Sequence, residues 1–158
     1  MFSPVTALAA ATLPVLLVWA GAVDAVTRSI PNSIVLLLAA CFGFFAAVAG
    51  ITPAEIFTHF VCACAILAGG FVLFSHSLLG GGDAKLLASA ALWFGFDNIL
   101  PFLSAVALAG GVMTVAYLAA NAMKAQLGLS CRRCSTVPYG AAIAAGALAI
   151  LPDWLAAF

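Results

Sequence analysis

The chain has 158 residues, of which 66% are hydrophobic and only 6% are charged, and its mean hydropathy is +1.27. Soluble domains carry roughly 25% charged residues, so this composition excludes a water-soluble domain and indicates one that lies in lipid. The formal net charge is zero and no basic patch interleaved with aromatic residues occurs, which makes a nucleic-acid partner unexpected. We therefore expect a single membrane-embedded domain over residues 1–158.

The first apolar run, residues 5–23, is interpreted as a retained membrane helix. No Lys or Arg precedes Arg28, so the basic segment that opens a cleavable signal peptide is missing. Turn-forming or polar residues separate the later apolar runs, and a membrane span needs about 20 apolar residues. The sequence predicts an all-α bundle of about six transmembrane helices, the remaining five at residues 33–50, 54–79, 84–96, 99–123 and 137–151.

The charged residues sort between the predicted loops. Every basic residue lies in the first or fifth loop or, for Lys85, borders the third, and the positive-inside rule makes that side cytoplasmic. Three acidic residues, Glu55, Asp97 and Asp153, lie on the opposite side together with both termini. The sequence therefore predicts an N-out, C-out topology, in which the cytoplasmic side carries Arg28, Lys85, Lys124, Arg132 and Arg133.

Two further acids, Asp24 and Asp83, lie on the basic side, each at the end of a predicted span. A carboxylate at the edge of a membrane helix is costly, which makes it a candidate functional group. Since both acids face the same compartment, they can approach each other in a compact bundle. The fourth span would form about 20 Å of helix against a hydrocarbon core of about 30 Å. We expect Asp83 to lie below the cytoplasmic interface, in a cavity that the preceding glycines help to open.

Two neighbouring carboxyl groups titrate as a unit. One can take a proton from water while its protonated partner donates to a carbonyl oxygen, which hydrolyses a peptide without an acyl-enzyme. The glycines at residues 80–82 can adopt positive φ and admit a peptide backbone, although they equally suit a simple interhelical turn. Helix dipoles favour Asp83 as the base and Asp24 as the acid, whereas Arg28 favours the opposite assignment.

Three motifs occur in order along the chain: Asp24 followed by Ile30-Pro31-Asn32, then Gly80-Gly81-Gly82-Asp83-Ala84-Lys85, then Val137-Pro138-Tyr139-Gly140. Together they resemble the type IV prepilin leader peptidases, which are GxGD-type aspartyl proteases, and the match is closest to the short tight-adherence (Flp-type) pilus branch. The resemblance implies that Asp24 and Asp83 are the catalytic pair. It implies a prepilin-like substrate with a short basic leader and an apolar helix, cut at the cytoplasmic face of the bacterial inner membrane.

The residues around the two acids are expected to shape the site or bind substrate. Pro31 should fix how the chain enters the second span. Lys85 either steadies the ionised pair or anchors its helix at the interface, and Tyr139 and Gly140 either reach the site or pack nearby. The full set comprises Gly80, Gly81, Gly82, Lys85, Arg28, Pro31, Asn32, Pro138, Tyr139 and Gly140.

No cofactor or metal is expected. Cys131 and Cys134 form a CxxC pair without the second pair that zinc requires, which favours reduced thiols over a transient disulfide or an intersubunit metal. His59 and His76 are expected to be structural, although His76 is also a candidate for lining the approach to Asp83.

The larger members of the resembled family carry a cysteine-rich insertion in the first loop and also methylate the new N-terminus. This chain lacks that insertion, so peptidase activity alone is expected. Two other functions stay open. Asp24 and Asp83 would also suit a small membrane transporter or ion carrier that uses them as cation or proton sites. A structural subunit of a secretion assembly, with the acids capping helices, is the third interpretation.

Overall fold

The computed structural model describes residues 3–126 and 138–156. These ranges form five helices that are long and apolar enough to cross a membrane, and they contain no strand, which confirms the predicted all-α membrane class. In chain order the helices are α1 (Pro4–Thr27), α2 (Asn32–Ala49), α3 (Pro53–Ser75), α4 (Gly81–Gln126) and α5 (Tyr139–Ala156).

Local sequence sets the helix ends. The Ser3 side chain accepts the Thr6 N–H at the start of α1, and Thr52 and Glu55 form a capping box at the start of α3. Helix α3 ends at Ser75 rather than at residue 79 as predicted. The connection that follows, residues 76–80, includes Ser77 in a left-handed conformation with φ 59°.

The predicted fourth and fifth spans lie in one helical element, α4, so six separate helices are not confirmed. Gly95 interrupts α4 with φ 60° and ψ −171°. The ring centroids of Phe94 and Phe102 lie only 4.7 Å apart. Eight residues of straight helix would separate their Cα atoms by about 12 Å, so the chain bends sharply at Gly95. A Cβ at Gly95 would lie 2.8 Å from the His59 ring, and the left-handed φ favours glycine as well.

Small residues set the spacing of the helices. A Cβ on Gly21 of α1 would approach Ala141 of α5 to 3.2 Å, and one on Gly146 of α5 would approach Val106 of α4 to 2.6 Å. Such close approach of backbones is typical of membrane helix pairs. Helix α1 packs on α2 and α5, and α4 packs on α2, α3 and α5. The last turn of α1 and the first turn of α5 therefore meet.

An aromatic cluster fills the opposite end of the bundle from the start of α4. The Trp93 and Trp154 side chains are fully buried, with ring centroids 6.2 Å apart. The indole N–H of Trp93 donates to the Leu38 carbonyl oxygen at 3.0 Å, so its polar group is satisfied within the cluster. We define the aromatic cluster as Phe42, Phe45, Trp93, Phe94, Phe102 and Trp154.

Candidate active site

Asp24 lies in the last turn of α1 and is buried, with 6% of its surface exposed. Its Oδ2 atom accepts a hydrogen bond of 2.9 Å from the backbone N–H of Gly140 in the first turn of α5. A Cβ on Gly140 would lie 2.9 Å from both Cβ and Oδ2 of Asp24, closer than real Cβ contacts. Glycine at this position therefore admits Asp24 and also supplies its hydrogen-bond donor.

Asp83 is the third residue of α4 and is half-buried. The Gly80 carbonyl accepts the Ala84 N–H at 3.0 Å, which makes Gly80 the capping residue of α4. The Asp83 carboxylate reaches back to the Gly80 backbone N–H, and a Cβ on Gly80 would lie 2.6 Å from its Oδ2 atom. Asp83 therefore caps the helix on which it lies.

The expected positive φ angles are absent from the glycine motif. Among the described residues, the glycines with positive φ are Gly50 and Gly95. Gly81 and Gly82 instead form the first turn of α4, where the lack of a side chain lets neighbouring residues approach the backbone closely. A Cβ on Gly82 would lie 3.3 Å from the Cβ of Ile30, which packs against the start of α4.

The structure brings the two acids together. Asp24 and Asp83 interact electrostatically and line the same cavity of about 670 Å³. Its wall combines charged, polar and large apolar side chains, the other members being Arg28, Phe74, Ser77, Leu78, Leu79, Gly80, Thr114 and Tyr139. A second cavity of about 250 Å³ also borders both acids and is more polar, lined further by Arg28, Ser29, Ile30, Asn32, Gly80, Gly81, Gly82 and Lys85. Both cavities provide room for water beside the carboxyl groups.

The Ile30-Pro31-Asn32 motif ties the α1–α2 connection to the start of α4. Pro31 is the residue before α2 and has an extended conformation, with φ −64° and ψ 137°. The Asn32 side-chain oxygen accepts a hydrogen bond of 3.1 Å from Lys85 Nζ. Together with the packing of Ile30 on Gly82, this bond holds the α1–α2 connection against the start of α4, beside the two acids.

Arg28 closes α1 in a left-handed conformation with φ 56°, and its backbone N–H donates to the Asp24 carbonyl oxygen at 2.9 Å. It lines both cavities. Arg28 therefore shares both cavities with the two carboxyl groups, and its part in the site stays a prediction.

The third motif contributes all its described residues to this region. The Pro138 carbonyl accepts the Ala141 N–H at 3.2 Å and so begins α5. Tyr139 lines the larger cavity, and its ring lies against Gly110 of α4. Sequence reasoning missed Thr114, Phe74 and residues 77–79 of the cavity wall, since no motif marks them.

The histidines and cysteines lie elsewhere. His59 Nδ1 pairs with the Leu92 carbonyl oxygen at 2.8 Å, and its ring stacks on Phe42, which confirms a structural role beside the Gly95 bend. His76 is the capping residue that follows the last residue of α3, and it is not among those found to line either cavity. In the part of the chain that the structure describes, no three His, Cys, Asp or Glu side chains cluster as metal ligands. The Cys131–Cys134 pair lies outside the described residues.

The family model described as the type IV leader peptidase family matches residues 11–115. The matched segment includes both acids and the glycine motif, whereas Gly140 lies beyond it. No curated protein and no solved structure matches the chain.

Proposed function

The chain belongs to the type IV leader peptidase family, and we propose that it is a membrane aspartyl endopeptidase that removes the short leader peptide from prepilin-like substrates. The observation that carries the proposal is the shared cavity lined by Asp24 and Asp83, the acids of the matched segment that meet in the bundle. The family match gives no support to the alternative of a transporter or ion carrier.

The reaction uses the two carboxyl groups as a general base and a general acid. The ionised carboxylate accepts a proton from water as the water oxygen bonds to the scissile carbonyl carbon, and the protonated partner donates its proton to the carbonyl oxygen. The tetrahedral intermediate then collapses as the C–N bond breaks. The leaving nitrogen takes a proton from the former base, and one hydroxyl of the intermediate returns its proton to the former acid. Both carboxyl groups are thereby restored.

The roles of the two acids are not separated by the helix dipoles. Asp83 lies at the N-terminus of α4, as the sequence predicted, but Asp24 accepts a backbone N–H at the N-terminus of α5. Each acid therefore lies where a helix dipole stabilises negative charge. Helix dipoles therefore no longer support the expectation from the sequence that Asp83 is the base and Asp24 the acid.

We propose further that α4 crosses the membrane twice, which gives six crossings with both termini outside. Its 46 residues would extend about 69 Å as a straight helix, more than twice the hydrocarbon thickness of about 30 Å. The bend at Gly95 supplies the reversal. Arg28 and Lys85 then share the cytoplasmic side with the carboxyl pair, and Asp97 lies at the opposite side.

The proposed substrate is a membrane protein of the prepilin type, with a basic leader that stays cytoplasmic and an apolar helix that lies in the bilayer. The larger cavity suits such a chain because its wall offers apolar side chains beside the acids. We place the enzyme in the short Flp-type branch at the bacterial inner membrane. Only residues 28–31 separate α1 from α2, and we propose peptidase activity without methylation of the new N-terminus.

The test is co-expression with a prepilin-like substrate, with cleavage read from the size of the product and the mass of its N-terminus. Asp24→Asn and Asp83→Asn should each leave the precursor uncut, since the mechanism requires both groups. Asp97→Asn, an exposed acid beside the Gly95 bend, is the matched control and should cleave normally. Mature product from both site variants would refute the peptidase proposal, and product from one of them would refute the two-acid mechanism. A methyl group on the mature N-terminus would contradict peptidase-only activity.

A further inference from the structure

We propose that Gly140 is a positioning residue for Asp24, and that its backbone N–H orients the carboxyl group for the reaction. This inference rests on the proposed peptidase function. It extends the working site past the segment that matches the family, which ends at residue 115. It also gives the third sequence motif a defined task, because Gly140 of that motif donates a hydrogen bond directly to an acid.

Two features of the contact between Gly140 and Asp24 support this role. The first is the hydrogen bond of 2.9 Å from the Gly140 N–H to Asp24 Oδ2, in a buried location. The second is steric, because a Cβ on Gly140 would meet Asp24 Cβ and Oδ2 at 2.9 Å and the carboxyl carbon at 3.1 Å. The backbone of α5 thus contacts both the stem and the head of the Asp24 side chain. Few rotations of that side chain are compatible with both contacts.

The contact has a chemical consequence for the two oxygens of Asp24. An oxygen that accepts a backbone N–H has one of its two lone pairs committed, so the other oxygen, Oδ1, is the better placed to exchange a proton with water or substrate. General acid–base catalysis requires the reacting oxygen within hydrogen-bond reach of its partner. A bond that fixes Oδ2 therefore decides where Oδ1 can lie.

The packing of α1 on α5 makes this arrangement rigid. One turn before Asp24, a Cβ on Gly21 would lie 3.2 Å from the Ala141 Cα and 3.4 Å from the Gly140 carbonyl oxygen. The two helix ends therefore meet backbone to backbone. Because Asp83 lies on α4, the N-terminus of α5 sets the position of one acid relative to the other.

The first test reads the hydrogen bond in the unaltered protein. Tyr139-Gly140 is the single Tyr-Gly step in the sequence, so labelling with ¹³C-carbonyl tyrosine and ¹⁵N-glycine selects one amide signal. In the full chain in detergent micelles, that signal should move with pH as the Asp24 carboxyl group titrates. The movement should vanish in Asp24→Asn and persist in Asp83→Asn. A signal that ignores pH, or that loses its response only in Asp83→Asn, would overturn the proposal.

The second test separates positioning from stability. Gly140→Ala keeps the N–H but adds the conflicting Cβ, so kcat per folded molecule should fall by about a hundredfold while KM for the precursor stays near the original value. Gly43→Ala is the matched control, because among the described residues nothing lies within 4 Å of a Cβ there. An unchanged kcat for folded Gly140→Ala would refute positioning. If Gly140→Ala does not fold, the amide titration alone decides.

The two proposals fail in different ways. If the unaltered chain does not cut any prepilin-like precursor, the peptidase proposal fails, yet the amide of Gly140 would still report its bond to Asp24. If the unaltered chain cuts the precursor and Asp24→Asn does not, the peptidase proposal stands. An unchanged kcat for Gly140→Ala would then refute only the positioning role of Gly140.

Discussion

The two ends of the bundle are built on opposite principles, although the first half of α4 reaches both. At one end, large rings from three helices fill the interior around Trp93 and Trp154, which are fully buried. At the other end α4 begins at Gly81, Gly140 lies in the first turn of α5, and two cavities border Asp24 and Asp83. The filled end can hold the helices in register while the open end keeps space for water and a substrate. Stability and chemistry are therefore expected to respond to different substitutions.

Glycine also serves different purposes at the two ends. Gly95 takes a left-handed φ and leaves room for the His59 ring, so it shapes the backbone. Gly82 and Gly140 have no such φ and instead admit a neighbouring side chain, Ile30 or Asp24. The same residue type thus makes a bend at the filled end and close contacts at the open end. Substitutions at the two ends test whether these uses are separable.

The largest effect on stability should come from the filled end. Trp154→Ala should lower the free energy of unfolding by about 3–5 kcal/mol, because the side chain is fully buried among aromatic rings and its loss leaves a cavity. Thermal unfolding of the purified protein measures the loss. Trp19→Ala is the control, since Trp19 is 52% exposed on the outside of α1. Equal losses for the two variants would contradict the proposed division between the ends.

The bend should be the next most sensitive position. Gly95→Ala should cost about 1–3 kcal/mol of unfolding free energy, because alanine is strained at a φ of 60° and its Cβ would meet His59. Thermal unfolding of Gly95→Ala in a His59→Ala background separates the two causes. Part of the loss should be recovered there, because the ring conflict is removed while the backbone strain remains. Full recovery would show that strain contributes nothing.

The sequence predicts the features that residue types mark along the chain, and it does not predict contacts that depend on how the helices pack. The helical class and the meeting of Asp24 and Asp83 at one cavity could be predicted from hydropathy, from the sorting of charges and from the three motifs. The number of helices could not be predicted in this way. The polar residues Asp97-Asn98 end an apolar run and indicate a loop, whereas the structure bends at Gly95 within α4. The hydrogen bond between Gly140 and Asp24 could not be predicted either, because it depends on how α1 packs against α5. Spacing along a chain does not contain that information.

At the open end, Gly82→Ala should affect cleavage more than stability. The added Cβ would lie 3.3 Å from the Ile30 Cβ, so the start of α4 must shift by a few tenths of an ångström, and Asp83 shifts with it. We expect kcat to fall about tenfold. The unfolding free energy should change by less than about 1 kcal/mol, since alanine favours a helix over glycine. Gly69→Ala, where a Cβ meets no described atom within 4 Å, should leave cleavage intact. If Gly82→Ala loses stability and keeps full kcat, the prediction that this glycine serves cleavage more than stability is wrong.

The smallest effect should come from the Lys85–Asn32 bond, and it decides between the two roles left open for Lys85. The bond is exposed, so its loss in Asn32→Ala should cost under about 1 kcal/mol of unfolding free energy and leave kcat within about threefold. If Lys85 only anchors its helix, Lys85→Met should match Asn32→Ala in both measurements. If its charge steadies the ionised acids, Lys85→Met should lower kcat well beyond Asn32→Ala, and Lys85→Arg should restore it. Since Lys85 lines the smaller cavity with both acids, we expect the second outcome. Identical kinetics for Lys85→Met and Asn32→Ala would leave the charge of Lys85 without a part in the reaction.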